Sequence, residues 1–400
     1  MEYPPPLSHA HTRQSADKAD RGHTYVYVGG ESTDAGDSLI RVYSCMNPLL
    51  GVFFHWLGGL SSASFYVPYR RIQRWSWEIF WLTGGVFSWI VAPWIFASLR
   101  TNDLLGVLGN SPGEVLFWCY FWGALWGIGG LTFGLTMRYL GLSLGMAVAL
   151  GFTTIIGTLG PPIFRGTLAE VAATMSGKIT LLGLAMTLAG VIVVGKAGRA
   201  KESDLKGSGA SAGVAEFSLN KGLLIAFLSG VMSGCFAWGL DAGKSIRELS
   251  LAAGTDPLAQ GLPVLCVVLL GGFTTNFIWC AYLIYRNRSV GEFVGRPGNR
   301  TIVGERPRLW RNYLLAAFGG TLWYLQFFFY TMGESQMGRY AFSSWTLHMA
   351  SIILFSTLWG FALKEWSGAS SKTRFLVWSG IGLLVGSTLV IGWGNSLAIN

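Results

Sequence analysis

The sequence predicts an all-helical membrane protein whose ten transmembrane helices form two inverted five-helix repeats, and three observations predict it. Charged residues make up only 12% of the 400 positions while hydrophobic residues make up 51%, against about 25% charged in an average soluble domain. Apolar runs of about 20 residues, the helical length that crosses a bilayer core about 30 Å thick, recur along the chain. A soft stretch rich in glycine, serine and charge divides those runs into equal groups.

The runs lie near Pro48–Tyr69, Trp77–Leu99, Val115–Met137, Leu142–Phe164, Ile179–Lys196, Gly222–Leu240, Gly261–Tyr285, Tyr313–Met332, Phe342–Leu363 and Phe375–Trp393. The chain's 55 glycines suit close helix contacts, and many of its 18 tryptophans suit the headgroup region. The bilayer is therefore the expected surrounding. The net charge of +9 does not signal nucleic acid, because the basic residues lie between apolar runs and form no aromatic-interleaved patch. Lysine and arginine gather in the connections after the odd-numbered runs. By the positive-inside rule those connections face the cytoplasm and both termini face outward.

The chain is expected to divide into a tail at 1–45, a first half at 46–197, a linker at 198–220 and a second half at 221–400. The tail contains Pro4–Pro5–Pro6 and no apolar stretch resembling a signal peptide, so it reads as disordered or as an extension before a start at Met46. The linker, GRAKESDLKGSGASAGVAEFSLN, reads as flexible and cytoplasmic. Five spans per half make the halves antiparallel, the inverted-repeat plan of many secondary transporters. The pairs Leu125–Trp126 against Leu322–Trp323, and Thr136–Met137 against Thr331–Met332, echo between the halves.

Polar side chains inside spans are costly and therefore mark candidate sites. His55 offers an imidazole that either carries a proton and binds a hydroxyl or makes an interhelical hydrogen bond. Asp241 and Lys244 share a helical face at i,i+3 spacing; Asp241 is either half of that local pair or a carboxylate that loads and releases a proton. Asn276, Gln326 and His348 supply donors and acceptors that suit sugar hydroxyls, and Trp126, Trp323 and Tyr324 supply flat faces for a pyranose ring. Glu78 and Arg138 stand near span ends, where their charges are expected to snorkel. Lys364–Glu365 reads as a boundary.

Missing motifs exclude whole classes. There is no GxxxxGK[ST] phosphate loop for an ATPase, no HExxH or paired CxxC for a metal, and no GxSxG nucleophile elbow. The remaining expectation is a transporter of a small solute, with an exporter or a non-transporting membrane sensor as alternatives.

Longer wording narrows this further. Phe54-His-Trp-Leu-Gly58, Phe65-Tyr-Val-Pro68, Trp75-Ser-Trp-Glu78, Gly134-Leu-Thr-Met-Arg-Tyr-Leu-Gly141, Trp323-Tyr-Leu-Gln-Phe-Phe-Phe-Tyr330, Ser344-Trp-Thr-Leu-His-Met349 and Leu363-Lys-Glu-Trp366 together resemble the bacterial L-rhamnose–proton symporters of the drug/metabolite transporter superfamily. The resemblance runs from about Met46 to the C-terminus. It implies a ten-span carrier of the bacterial inner membrane that takes up L-rhamnose or a related sugar with protons. It also implies no cofactor beyond the coupling proton. On that reading His55, Trp126, Asn276, Trp323, Tyr324, Gln326 and His348 are the expected sugar contacts, and Asp241 and His55 the expected proton carriers.

Overall fold

A computed structural model describes residues 47–140, 142–207, 219–296, 308–363, 366 and 369–397. The 1–45 tail, positions 208–218 of the linker and Lys364–Glu365 lie outside the described residues, as does the Arg138 side chain. Among the described residues the chain is helical, without strands. Its principal helices are α1 (Pro48–Ser64), α2 (Trp77–Arg100), α3 (Gly113–Leu140), α4 (Leu142–Phe164), α5 (Met175–Gly207), α6 (Leu219–Ala242), α7 (Leu262–Asn287), α8 (Leu309–Ser335), α9 (Ser344–Ala362) and α10 (Ser371–Ser396). Each coincides with one expected apolar run. Among the described residues seven segments are long and apolar enough to cross a membrane. Of the remaining helices, α1 has 17 residues before the short helix Tyr66–Tyr69, and the apolar part of α4 covers only Val148–Phe164. The 27-residue α8 carries polar and indole or phenol groups that lower its mean hydropathy.

Local chemistry starts these helices. Asn47 accepts from the Leu49 and Leu50 N–H groups at 3.1 and 3.2 Å, and Pro48 occupies the first turn, where its missing N–H costs nothing. The Asn47 N–H donates to Gln336 Oε1 at 3.1 Å, which ties the start of α1 to the end of α8. Helix α2 widens into a π-turn at Phe87–Val91, where the Ala92 N–H reaches the Phe87 carbonyl. Pro93 follows directly. Its ring has no N–H and would collide with the Trp89 carbonyl in a regular α-helix, and the wider turn relieves that conflict.

Helix α1 packs against α8 and α9, α6 against α3 and α4, α2 against α8 and α7 against α3. Helix α4 packs on α5, α9 on α10, and α5 on α10. Glycines permit the closest crossings. A Cβ at Gly320 of α8 would run into the Gly84 carbonyl of α2, and one at Gly123 of α3 into the Val268 carbonyl of α7. Backbone cannot yield as a side-chain tip can. Gly320→Ala is expected to cost about 1–3 kcal/mol, read as a lower unfolding midpoint in detergent. Gly382→Ala is the control, since its Cβ would meet nothing within 4 Å.

Three details differ from the sequence expectation. Helix α5 runs through Gly198 to Gly207 instead of giving way to the linker at its start. Asp204 on that extension accepts from the Ser370 N–H at 2.9 Å and the Thr373 hydroxyl at 2.8 Å, joining it to the start of α10. These bonds hold the Asp204 carboxyl below the usual carboxylate range. Its contribution to stability is therefore present above that range and lost as pH falls through the lowered value. Unfolding midpoints of Asp204→Asn and the unaltered protein should differ at neutral pH and converge in acid.

Second, Glu78 does not snorkel. It is buried, and its Oε1 accepts from Asn287 Nδ2 at 2.8 Å and the Ser289 hydroxyl at 3.0 Å. The start of the basic connection after α7 is folded under α2: Glu292 Oε2 accepts from both the N–H and the hydroxyl of Ser76 at 2.6 Å, and the Trp75 indole donates to the Glu292 carbonyl at 2.9 Å. The Glu292 carboxylate satisfies the N–H of Ser76, the residue that caps α2. Third, Asp241 and Lys244 do not form a local pair; the reason lies in the turn at Gly243, described below.

Candidate functional site

His55 lies two turns into α1 and His348 one turn into α9, and both are fully buried. Their ring centroids are 6.3 Å apart. Tyr330 of α8 stands edge-on to both, 5.3 Å from His55 and 5.2 Å from His348. Glycines make the room: a Cβ at Gly58 would stand 3.2 Å from His348 Cε1, and one at Gly333 2.8 Å from His55 Nε2. Gly58 also lies against the Gln326 backbone. The Ser351 hydroxyl donates to the His55 carbonyl at 2.8 Å and locks α9 onto α1.

No nitrogen of either imidazole has a hydrogen-bond partner among the described residues, nor has Gln326 Nε2. Buried polar groups are nearly always paired, so unsatisfied donors and acceptors on three neighbouring helices call for a functional account. Three expected contacts, His55, Gln326 and His348, are thus brought together in one polar cluster within an aromatic surround. Trp345 completes that surround, 5.9 Å from Tyr330, its indole donating to the Thr153 carbonyl at 2.9 Å.

Trp323 lies one turn of α8 before Gln326 and belongs to a neighbouring cleft of about 190 Å³. Phe65, Tyr69, Trp81, Gly84, Gly85, Ser88, Trp89 and Trp323 line it. The π-turn of α2 supplies Ser88 and Trp89, and sequence periodicity could not reveal a local change of helical pitch. Pro93 was the available signal.

The remaining expected contacts lie apart from the histidine pair. Asn276 Oδ1 accepts from the Trp81 indole at 3.1 Å, while its Nδ2 donates to the Gly272 carbonyl at 2.9 Å and the Gly127 carbonyl at 3.4 Å. Its amide is committed to holding Trp81 and the crossing of α3 with α7. Trp126 stands perpendicular to Trp89, 6.2 Å away, behind the cleft wall. Tyr324 points off the cluster face of α8, packing 5.4 Å from Phe96, and its hydroxyl has no partner among the described residues.

Charge gathers at one end of the bundle. Asp241 pairs with Arg165 of the α4–α5 connection, and the two side chains are 32% and 42% exposed. Lys244 is exposed, because Gly243 ends α6 and a new helix, Lys244–Ala252, begins and breaks the i,i+3 register. The more buried pair was not anticipated from sequence. Arg247 of that short helix meets Glu334 near the end of α8 at 3.1 Å, with side chains 16% and 12% exposed. Arg247 also donates to the Leu240 carbonyl at 2.6 Å. Glu334 lies one helical turn beyond Tyr330, so α8 presents Trp323, Gln326, Tyr330 and Glu334 along one side.

A family model described as L-rhamnose-proton symport protein matches residues 46–396. The chain belongs to this family. Among its relatives, proteins named L-rhamnose-proton symporter from Salmonella gallinarum, Salmonella paratyphi B and Salmonella newport are each 36% identical over 346 residues. The alignments cover 86% of this chain and 97% of each relative. The family match spans all ten principal helices and includes the histidine cluster, the cleft and both ion pairs.

Proposed function

We propose that the protein takes up L-rhamnose, or a related sugar, together with protons, by alternating access in the bacterial inner membrane. The observation that carries this reading is the family match across the whole helical region, joined to an unpaired polar cluster where the two halves meet. His55 comes from the first half, and Gln326 and His348 come from the second.

On this reading all ten helices span the bilayer as two inverted repeats of five, with both termini outside the cytoplasm. The packing supports it. Moving each helix five places along the chain turns the α1–α8 contact into α6–α3, α1–α9 into α6–α4, α2–α8 into α7–α3, and α4–α5 into α9–α10. Such correspondence is expected of duplicated halves related by an axis in the membrane plane. The helix ends bearing Asp241, Arg165, Arg247 and Glu334 then face outward, and those joined through Glu78 and Glu292 face the cytoplasm.

Gln326 and His348 contribute to sugar recognition, and the proton is taken at His55, where His348 offers an unpaired nitrogen nearby. A proton on either imidazole changes the charge between the halves and so biases one packing over the other. Asp241, tied to Arg165 at the mouth, is the second proton candidate. The test is L-rhamnose uptake into proteoliposomes with an imposed proton gradient. Accumulation that an uncoupler abolishes supports the reading; uphill uptake that survives the uncoupler, or outward-only movement, rejects it.

A further inference from the structure

We propose that the cleft at the α2 π-turn is the station for the sugar ring, with Ser88 and Trp89 as specificity-determining residues. This rests on the transport reading above and goes beyond it by naming a site that neither the family match nor the polar cluster assigns.

The shape and chemistry point to a 6-deoxyhexose. The cleft is walled by carbon: Trp81 and Trp323 rings lie 6.3 Å apart at 63°, Trp81 and Trp89 6.2 Å apart at 71°, and Phe65 packs 4.3 Å from Trp323. A hexose whose sixth carbon is a methyl group has an apolar edge and C–H faces to set against such walls. Its hydroxyls need partners. The Ser88 hydroxyl and the Trp89 and Trp323 indole N–H groups, all on cleft-lining residues, are buried with no hydrogen-bond partner among the described residues.

The π-turn explains why donors stand there. A regular helix through Phe87–Val91 would rotate Ser88 and Trp89 relative to the α8 face that carries Trp323, and π-turns inside helices occur often at functional sites. The Asn276 bond to Trp81 fixes the far wall. As it stands the cleft has no room for a hexose, and its donors are covered. The arrangement is therefore the closed form of the station, which admits sugar when α2 and α8 separate at their glycine contact.

The test measures KM for L-rhamnose counterflow by the full-length protein in proteoliposomes. Ser88→Ala and Trp89→Phe each remove one donor while keeping most of the side-chain volume. Each is expected to raise KM about tenfold, the worth of a hydrogen bond to a bound hydroxyl. The dependence of uptake on the proton gradient should persist. In a second arm, Ser88→Cys is labelled with a small thiol reagent, and L-rhamnose should slow labelling several-fold. Unchanged KM in both donor variants, or labelling that is absent or indifferent to L-rhamnose, overturns the assignment of this cleft while wild-type exchange upholds the transport reading. Wild-type protein that exchanges no 6-deoxyhexose overturns both.

Discussion

Vesicles containing His55→Gln are expected to exchange L-rhamnose across the membrane yet fail to concentrate it. Glutamine keeps hydrogen-bonding capacity in a similar volume but cannot take up a proton near neutral pH. The expected difference is large. One proton crossing a potential of 100 mV carries about 2.3 kcal/mol, which supports roughly 50-fold accumulation if one proton accompanies each sugar. Removing the proton site reduces the ratio to one, whatever happens to KM. The measurement is the inside-to-outside ratio of labelled L-rhamnose at steady state under an imposed potential, beside counterflow in the same vesicles. If His55→Gln still concentrates sugar and Asp241→Asn does not, the proton site moves to the Asp241–Arg165 pair.

The second large effect concerns stability. Arg247→Ala leaves the Glu334 carboxylate largely out of water without its 3.1 Å partner. Breaking a buried ion pair from one side costs about 3–5 kcal/mol, because the surviving charge loses its compensation. Replacing both residues is expected to recover much of that loss, since no uncompensated charge remains. Unfolding midpoints of Arg247→Ala, Glu334→Gln and the double variant Arg247→Ala with Glu334→Gln form the required cycle. A single Arg247 variant as stable as the unaltered protein would show that water already reaches Glu334.

The two expectations locate different functions at different depths along α8. Gln326 and Tyr330 adjoin the histidines, whereas Glu334 secures the short helix Lys244–Ala252 over the end of the bundle. A carrier that alternates access must release such an end without dismantling its centre. The Glu78 and Glu292 bonds are the corresponding ties at the opposite end, and they hold the segment after α7 beneath α2. This describes what the start of the long basic connection does.

Each expected apolar run became a helix because length and hydrophobicity are local properties, and in lipid an unpaired backbone would be too costly to leave outside a helix. The polar residues at 55, 326 and 348 stood out for the same reason: few such side chains occur within the runs, and burial makes each conspicuous. Which of them would meet was not a local property. Asn276 looked as good a sugar contact as Gln326, yet the crossing of α3 and α7 gave its amide to Trp81 and two carbonyls. Asp241 shared a face with Lys244 only on an unbroken helix, and the turn at Gly243 paired it with Arg165 instead.

The sequence alone therefore determined the helical membrane class, the positions of the principal helices and, through its longer motifs, the family, because these follow from hydrophobic length and local wording. Only the tertiary structure decided that His55, Gln326 and His348 form one unpaired cluster, that Ser88 and Trp89 line a cleft with Trp323, and that Glu334 pairs with Arg247. Those outcomes depend on how closely glycines let separate helices approach and on where Pro93 and Gly243 interrupt helical register. Such interruptions rotate every later side chain, and their consequences become visible only once the helices are packed together.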